Sequence, residues 1–218
     1  MNKQSDKKPK DKKKRARRSK TVNVSSFFIG LISYVLSLLS SPFAYIYKLV
    51  IPDKKNVNIL MVGLPESGKT QIINWLKKRP FIEDYTPGFG YVTSDIEYNN
   101  LAFKIYELAG QTINLWPDRC RDKQCIIFVV DSSAPNTIGN VRTEIQQMMD
   151  NDDLRDAMLL VFANKKDLPD SMNAEYIADK LGLTSFRGRT YKVIETSAKR
   201  GVGFAEGLEW LEEQFSNA

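Results

Sequence analysis

The chain has 218 residues, 42% of them apolar, which is material for one core plus appendages. It contains no histidine, which removes Ser-His-Asp and Cys-His nucleophile arrangements, H-E-x-x-H zinc sites and histidine bases. The formal charge of +6 is unevenly spread: residues 1–20 hold 11 Lys/Arg against 2 Asp (net +9), leaving 21 against 24 (net −3) for the remainder. The basic character therefore belongs to a tail, and a nucleic-acid groove on the slightly acidic remainder is not expected. The two cysteines, Cys120 and Cys125, form no C-x-x-C pair and read as reduced thiols facing a cytosol.

In chain order, residues 1–20 read as a disordered polybasic tail, with a nuclear-import or nucleic-acid tail as the competing reading. Residues 21–51 follow as a hydrophobic membrane-associating segment, and positions 21–47 carry no charged residue. As a helix of ~1.5 Å per residue those 27 positions reach ~40 Å, enough for a ~30 Å hydrocarbon core. Ser26, Gly30, Ser33, Ser37 and Ser40 share one helical face, and Pro42 kinks or ends the helix. An in-plane helix, a hairpin turning near Ser40-Ser41-Pro42 and a single span all remain open, as does a core helix packed on the domain. The eleven cations ahead of the segment favour a cytosolic N-terminus, so a single span would carry the rest of the chain away from the cytosol. A cleaved signal peptide is not expected.

Residues 52–56 form a linker, and an apolar strand, 57–62, runs into Gly63-Leu64-Pro65-Glu66-Ser67-Gly68-Lys69-Thr70. This fits G-x-x-x-x-G-K-S/T after a strand and before a helix, 69–79. The glycines let the backbone approach an anion, and amides from about Glu66 to Thr70, Ser67 and Gly68 included, converge on the α- and β-phosphates. Lys69 reaches the β/γ oxygens as a point charge, and the Thr70 hydroxyl is placed to ligate Mg²⁺.

Strands are expected at 91–98 and 101–107, an antiparallel pair turning at Tyr98-Asn99-Asn100-Leu101, then at 125–131, 157–163 and 190–195. Helices are expected at 137–151, 173–181 and 204–215. The alternation implies a mostly parallel sheet with helices on both faces. Two loops leave late strands: Asn164-Lys165-Lys166-Asp167, and Thr196-Ser197-Ala198-Lys199. A carboxylate at Asp167 accepts from both N1–H and N2–H₂ of guanine, a donor pair adenine lacks. Asn164 is expected at N7, the Lys165 stem on the base face, and the Ala198 N–H at O6.

With these motifs in order, residues 57–216 resemble a small GTPase, and more narrowly the ADP-ribosylation factor (Arf/Arl) family. The likeness rests further on Glu97-Tyr98-Asn99-Asn100, Gly110-Gln111, Leu115-Trp116, 126–132, 153–168, Met172-Asn173-Ala174, 179–183 and 206–211. It implies the P-loop small GTPase fold, a six-stranded mostly parallel sheet with one antiparallel pair, and GTP/GDP with Mg²⁺ as ligands. It puts Gln111 where the hydrolytic water is oriented, the Gly110 N–H at the γ-phosphate, and Glu107 at the Mg²⁺ position. It also implies an exchange factor, a GTPase-activating protein and effectors; Trp116, a large aromatic beside the switch, reads as a partner contact, with a partly core residue as the other reading. The family's interswitch, here 91–106, couples nucleotide to an N-terminal helix, a coupling that a firmly inserted 22–51 segment does not need.

The chain departs from the family in three places. Glu107 stands where the motif D-x-x-G has Asp, and Gly88 stands where the first switch has a Mg²⁺-binding threonine, with Thr86 or Thr93 as the nearest substitutes. Asn2 stands where the family carries a myristoylated glycine, so the apolar segment and tail supply two other membrane signals. The expectation is a guanine-nucleotide switch with weakened hydrolysis at the cytosolic face of an intracellular membrane (Golgi, endoplasmic reticulum or endosome), bound to anionic lipid, in vesicle or organelle traffic. The alternative is a non-cycling GTP-holding membrane protein resembling the β-subunit of the signal recognition particle receptor.

Overall fold

A computed structural model of the chain divides into two units, Met1–Pro52 and Asp53–Ala218. It describes residues 33, 34 and 37 of the first, and 54–81, 90–109, 117–186 and 188–216 of the second. Among the described residues, no helix is long and apolar enough to cross a membrane. The tail of 1–20 and, apart from three residues, the 21–51 segment lie outside the described residues.

Six strands form one sheet in the order β2-β3-β1-β4-β5-β6. They are β1 Lys55–Val62, β2 Tyr91–Tyr98, β3 Leu101–Leu108, β4 Cys125–Asp131, β5 Met158–Asn164 and β6 Tyr191–Glu195. Every pairing is parallel except β2 with β3. That hairpin closes through Asn99 and Asn100, Asn99 taking φ 49°, a left-handed conformation that asparagine tolerates better than most residues.

Among the described residues, four α-helices cover the sheet: α1 Lys69–Leu76, α2 Ile138–Met149, α3 Ala174–Leu181 and α4 Phe204–Ser216. The central strands are apolar at nearly every position, so each feeds both faces. On one face Leu60, Val62, Phe128, Val130 and Val161 pack with Ile145 and Met148 of α2 and Ile177 and Leu181 of α3. On the other, Ile59, Met61, Val129 and Phe162 pack with Ile72 and Ile73 of α1 and Phe204, Leu211 and Phe215 of α4. This is the sheet and helix arrangement expected above, with element ends shifted by a few residues.

The largest shift is at α1, which stops at Leu76 rather than running to 79. Lys78 turns left-handed (φ 54°), its N–H bonding Trp75 O at 2.8 Å while Arg79 N–H bonds Asn74 O at 2.8 Å. That six-to-one closure ends the helix as a glycine would, but a lysine occupies the turn. The parallel pairing puts the carboxyl ends of β1, β3, β4, β5 and β6 at one edge, where open α/β sheets place their ligands.

Candidate nucleotide site

The loop between β1 and α1 is shaped by two glycines that nothing larger could replace. A Cβ on Gly63 would lie 2.3 Å from Val129 O, and one on Gly68 would lie 2.3 Å from Asn164 Nδ2. Gly68 also has φ 95°, and Glu66 between them is left-handed at 63°. The amides of Lys69 and Thr70 precede the first bond of α1, Ile72 N to Gly68 O at 3.1 Å, and so belong to the open N-terminal turn.

Lys69 curls back over its own loop. Its Nζ donates to Gly63 O at 2.9 Å and Leu64 O at 3.0 Å, and lies 3.5 Å from Ser67 Oγ. Burial pushes its ammonium down to about 8, with the Glu107 carboxylate acting the other way. Glu107 is buried too and accepts the Thr70 hydroxyl hydrogen. Its carboxyl is pushed up by burial, opposed by the Thr70 bond and by the Lys69 and Lys77 charges. Both partners are drawn toward their neutral forms, so desolvation outweighs their mutual attraction. β1–β3 pairing sets this encounter by placing Glu107 opposite Met61, two residues before the loop.

At the other end, Asn164 at the tip of β5 joins three segments. Its Nδ2 donates to Ser67 O at 2.8 Å, and its Oδ1 accepts Ala198 N–H at 3.0 Å. Thr196 Oγ1 lies 3.5 Å from the same Oδ1. The backbone is held from beneath, Ser132 donating through N–H (2.9 Å) and Oγ (2.6 Å) to Asn164 O. Lys165 takes φ 65° and its Nζ meets Asp131 Oδ2 at 2.7 Å, which turns the stem across the loop. Ser197 Oγ donates to Asp167 Oδ1 at 2.6 Å, fixing one carboxylate oxygen.

Gly63, Ser67, Lys69, Thr70, Glu107, Asn164, Asp167, Ser197 and Ala198 are thus drawn into one contact chain. Pro65 and Glu66 form the outer turn of the loop and Lys199 is exposed at the rim. Sequence reasoning missed Asp131 and Ser132. Asp131 and Ser132 entered only within the family likeness over 126–132, and their bracing of Lys165 and Asn164 is visible only in the structure. Gly110, Gln111, Gly88, Thr86, Leu115 and Trp116 lie outside the described residues, while Thr93 is in β2.

The residues present fit a nucleotide with Mg²⁺. The loop offers amides and a buried ammonium with no bulk between them, and Thr70 with Glu107 supplies a hydroxyl and a carboxylate, hard oxygen donors of the kind Mg²⁺ takes. Among the described residues, no cluster of three or more Cys, Asp or Glu could hold a metal by itself.

Residues 43–215 match the ADP-ribosylation factor family. The chain belongs to that family, and so to the small GTPases. It is similar to the Arl6/BBS3 small GTPase of Trypanosoma brucei, whose structure carries the bound nucleotide analogue GppNp. Identity is 31%, the TM-score is 0.68, and the match covers 75% of this chain and 99% of that one.

Proposed function

We propose that this small GTPase is a membrane-associated guanine-nucleotide switch at the cytosolic face of an intracellular membrane, acting in vesicle or organelle traffic and cleaving GTP slowly. The observation that carries the guanine reading is Asp167, its Oδ1 fixed by Ser197 Oγ at 2.6 Å, on loops that the bridge from Ser67 through Asn164 to Ala198 ties to the phosphate loop. Phosphates fall to the 66–70 amides and Lys69. Guanine falls to Asp167, with Asn164, Lys165 and Ala198 framing the base. Thr70 and Glu107 would hold Mg²⁺, which would supply charge neutralisation to the phosphates when bound. Gln111 orients the attacking water and Gly110 N–H meets the γ-phosphate.

Slow hydrolysis follows from Glu107 and Gly88. A glutamate is one methylene longer than the family's aspartate, and Mg²⁺ demands near-ideal octahedral geometry. Gly88 has no side-chain ligand. Membrane association rests on the uncharged stretch 21–47 behind a +9 tail, two signals where one is marginal. Exchange, activating and effector proteins follow the family pattern, and no nucleic acid is invoked.

Single-turnover GTP cleavage by residues 53–218, with and without Mg²⁺, tests the reading. A slow rate with little Mg²⁺ stimulation, falling further in Gln111→Leu, is expected; a fast, fully Mg²⁺-dependent rate contradicts it. The non-cycling alternative is favoured by Gly88 and Glu107, the two departures from the family's Mg²⁺ ligands. GTP rather than GDP retained through purification would select it.

A further inference from the structure

Three bonds join the two base-side loops directly. Ala198 N–H donates to Asn164 Oδ1 at 3.0 Å, Lys166 N–H to Thr196 O at 3.0 Å, and Ser197 Oγ to Asp167 Oδ1 at 2.6 Å. A fourth connection runs through Glu195, the last residue of β6. Its Oε1 accepts the N–H of Ala174, the first residue of α3, at 2.9 Å. Its Oε2 lies 3.4 Å from Lys166 Nζ, which also donates to Ser171 O at 3.3 Å and Met172 O at 3.4 Å.

The turn that carries Asp167 needs such holding. Lys165 (φ 65°) and Asp170 (φ 57°) are both left-handed and neither is a glycine, so the chain bends sharply on either side of Asp167. Conformations of that kind persist where the surroundings fix them. Met172 N–H, bonded to Ser132 O at 2.8 Å, fixes the far end of the turn, and Lys166 fixes its middle. Glu195 is itself anchored. It pairs with Ala163 in the β5–β6 register, and its carbonyl fills the space beside Gly203, where a Cβ would lie 2.1 Å away. Its negative charge is also well placed at the amino end of α3.

We propose that Glu195 is a positioning residue for guanine selection. Through Lys166 and Ala174 it holds the Asn164–Asp167 turn against the Thr196–Lys199 loop, at the spacing where Asp167 accepts from both guanine donors. The proposal rests on the guanine reading of Asp167. The charge matters as well as the hydrogen bond: a glutamine at 195 keeps an acceptor for Ala174 N–H and loses the pull on Lys166. The Lys166 and Glu195 side chains are 32% and 37% exposed, so the pair acts by fine placement and its removal has a modest effect.

The test compares GDP with inosine diphosphate, which keeps N1–H and lacks the 2-amino group, and so uses one of the two acceptances of Asp167. Both are titrated calorimetrically into the full chain as wild type, Glu195→Gln, Lys166→Met, Lys166→Arg and the Glu195→Gln/Lys166→Met pair. Glu195→Gln should weaken GDP by ~3–10-fold and inosine diphosphate by less than ~2-fold, so that the preference for guanine shrinks. Lys166→Met repeats the test from the other partner and should do the same, while Lys166→Arg keeps the wild-type preference. The double variant should be no worse than the worse single one, because a single connection is removed. An unchanged preference in Glu195→Gln and Lys166→Met overturns the proposal. So does an equal loss of both nucleotides, the mark of a merely structural role. A wild type that does not distinguish the two nucleotides overturns the guanine reading itself, and the role of Glu195 with it.

Discussion

Asn164 holds the phosphate loop from the opposite half of the sheet: its Nδ2 donates to Ser67 O at 2.8 Å across 97 positions of sequence. Its other side-chain atom takes Ala198 N–H at 3.0 Å, so one amide fixes both ends of the site. Asn164→Ala leaves a buried carbonyl and a buried N–H without that partner. The expected cost is about 1–3 kcal/mol in urea denaturation, with a larger loss in nucleotide titration because the two loops separate.

Asp167→Asn should change which purine is accepted. Its Oδ1 is held by Ser197 Oγ at 2.6 Å, so the side chain keeps its orientation when an amide replaces the carboxylate. Guanine then faces a group that can no longer accept twice, while an amide N–H suits the O2 of xanthine. Competition against labelled GDP should show guanine binding weakened by ~10²–10⁴-fold and xanthosine diphosphate gaining.

Glu107→Asp shortens the carboxylate that accepts the Thr70 hydroxyl. Removing the extra methylene restores the carboxylate reach of the family's aspartate and leaves room for an octahedral ion, so Mg²⁺ stimulation of single-turnover GTP cleavage should rise by about 10-fold. No change would mean that Gly88 alone limits the reaction.

Two glycine replacements should act in opposite directions. At Gly203, φ is 87° and a Cβ would meet Glu195 O at 2.1 Å, a backbone atom with nowhere to go. Gly203→Ala should cost about 2–3 kcal/mol, roughly 5–10 °C in Tm. Gly139 lies in α2 with open space around its Cβ position, so Gly139→Ala should stabilise by about 0.5–1 kcal/mol. Thermal denaturation measures both.

Neither cysteine should be reactive in the folded chain. Cys120 and Cys125 are fully buried and form no disulfide, and burial pushes the Cys120 thiol up to about 12 and Cys125 higher still. Iodoacetamide at pH 8 should label neither until denaturant is added. Mass spectrometry of the native protein showing one adduct would contradict the burial.

Much of this was legible in the residues. The strand–helix alternation, the antiparallel hairpin at Asn99-Asn100 and the loop from Gly63 to Thr70 are local signals, carried by periodicity and by glycine. The end of α1 was not legible, because Lys78 adopts a turn conformation that sequence assigns to glycine and only the Arg79–Asn74 closure makes it visible. The bracing role of Asn164 was hidden for a different reason. Its type and position suggested a contact to the base, but bonds to Ser67 and Ala198 depend on how β1, β5 and β6 stack in space. Asp131 escaped notice likewise, since its partner Lys165 lies 34 positions on.

The account depends most on a phosphate-cradling loop coupled to a purine-selective carboxylate. Isothermal titration of residues 53–218 with GDP, GTP and ATP tests this directly. One equivalent of each guanine nucleotide should bind with measurable heat while ATP gives none. Silence with GDP and GTP, or equal uptake of ATP, would contradict it.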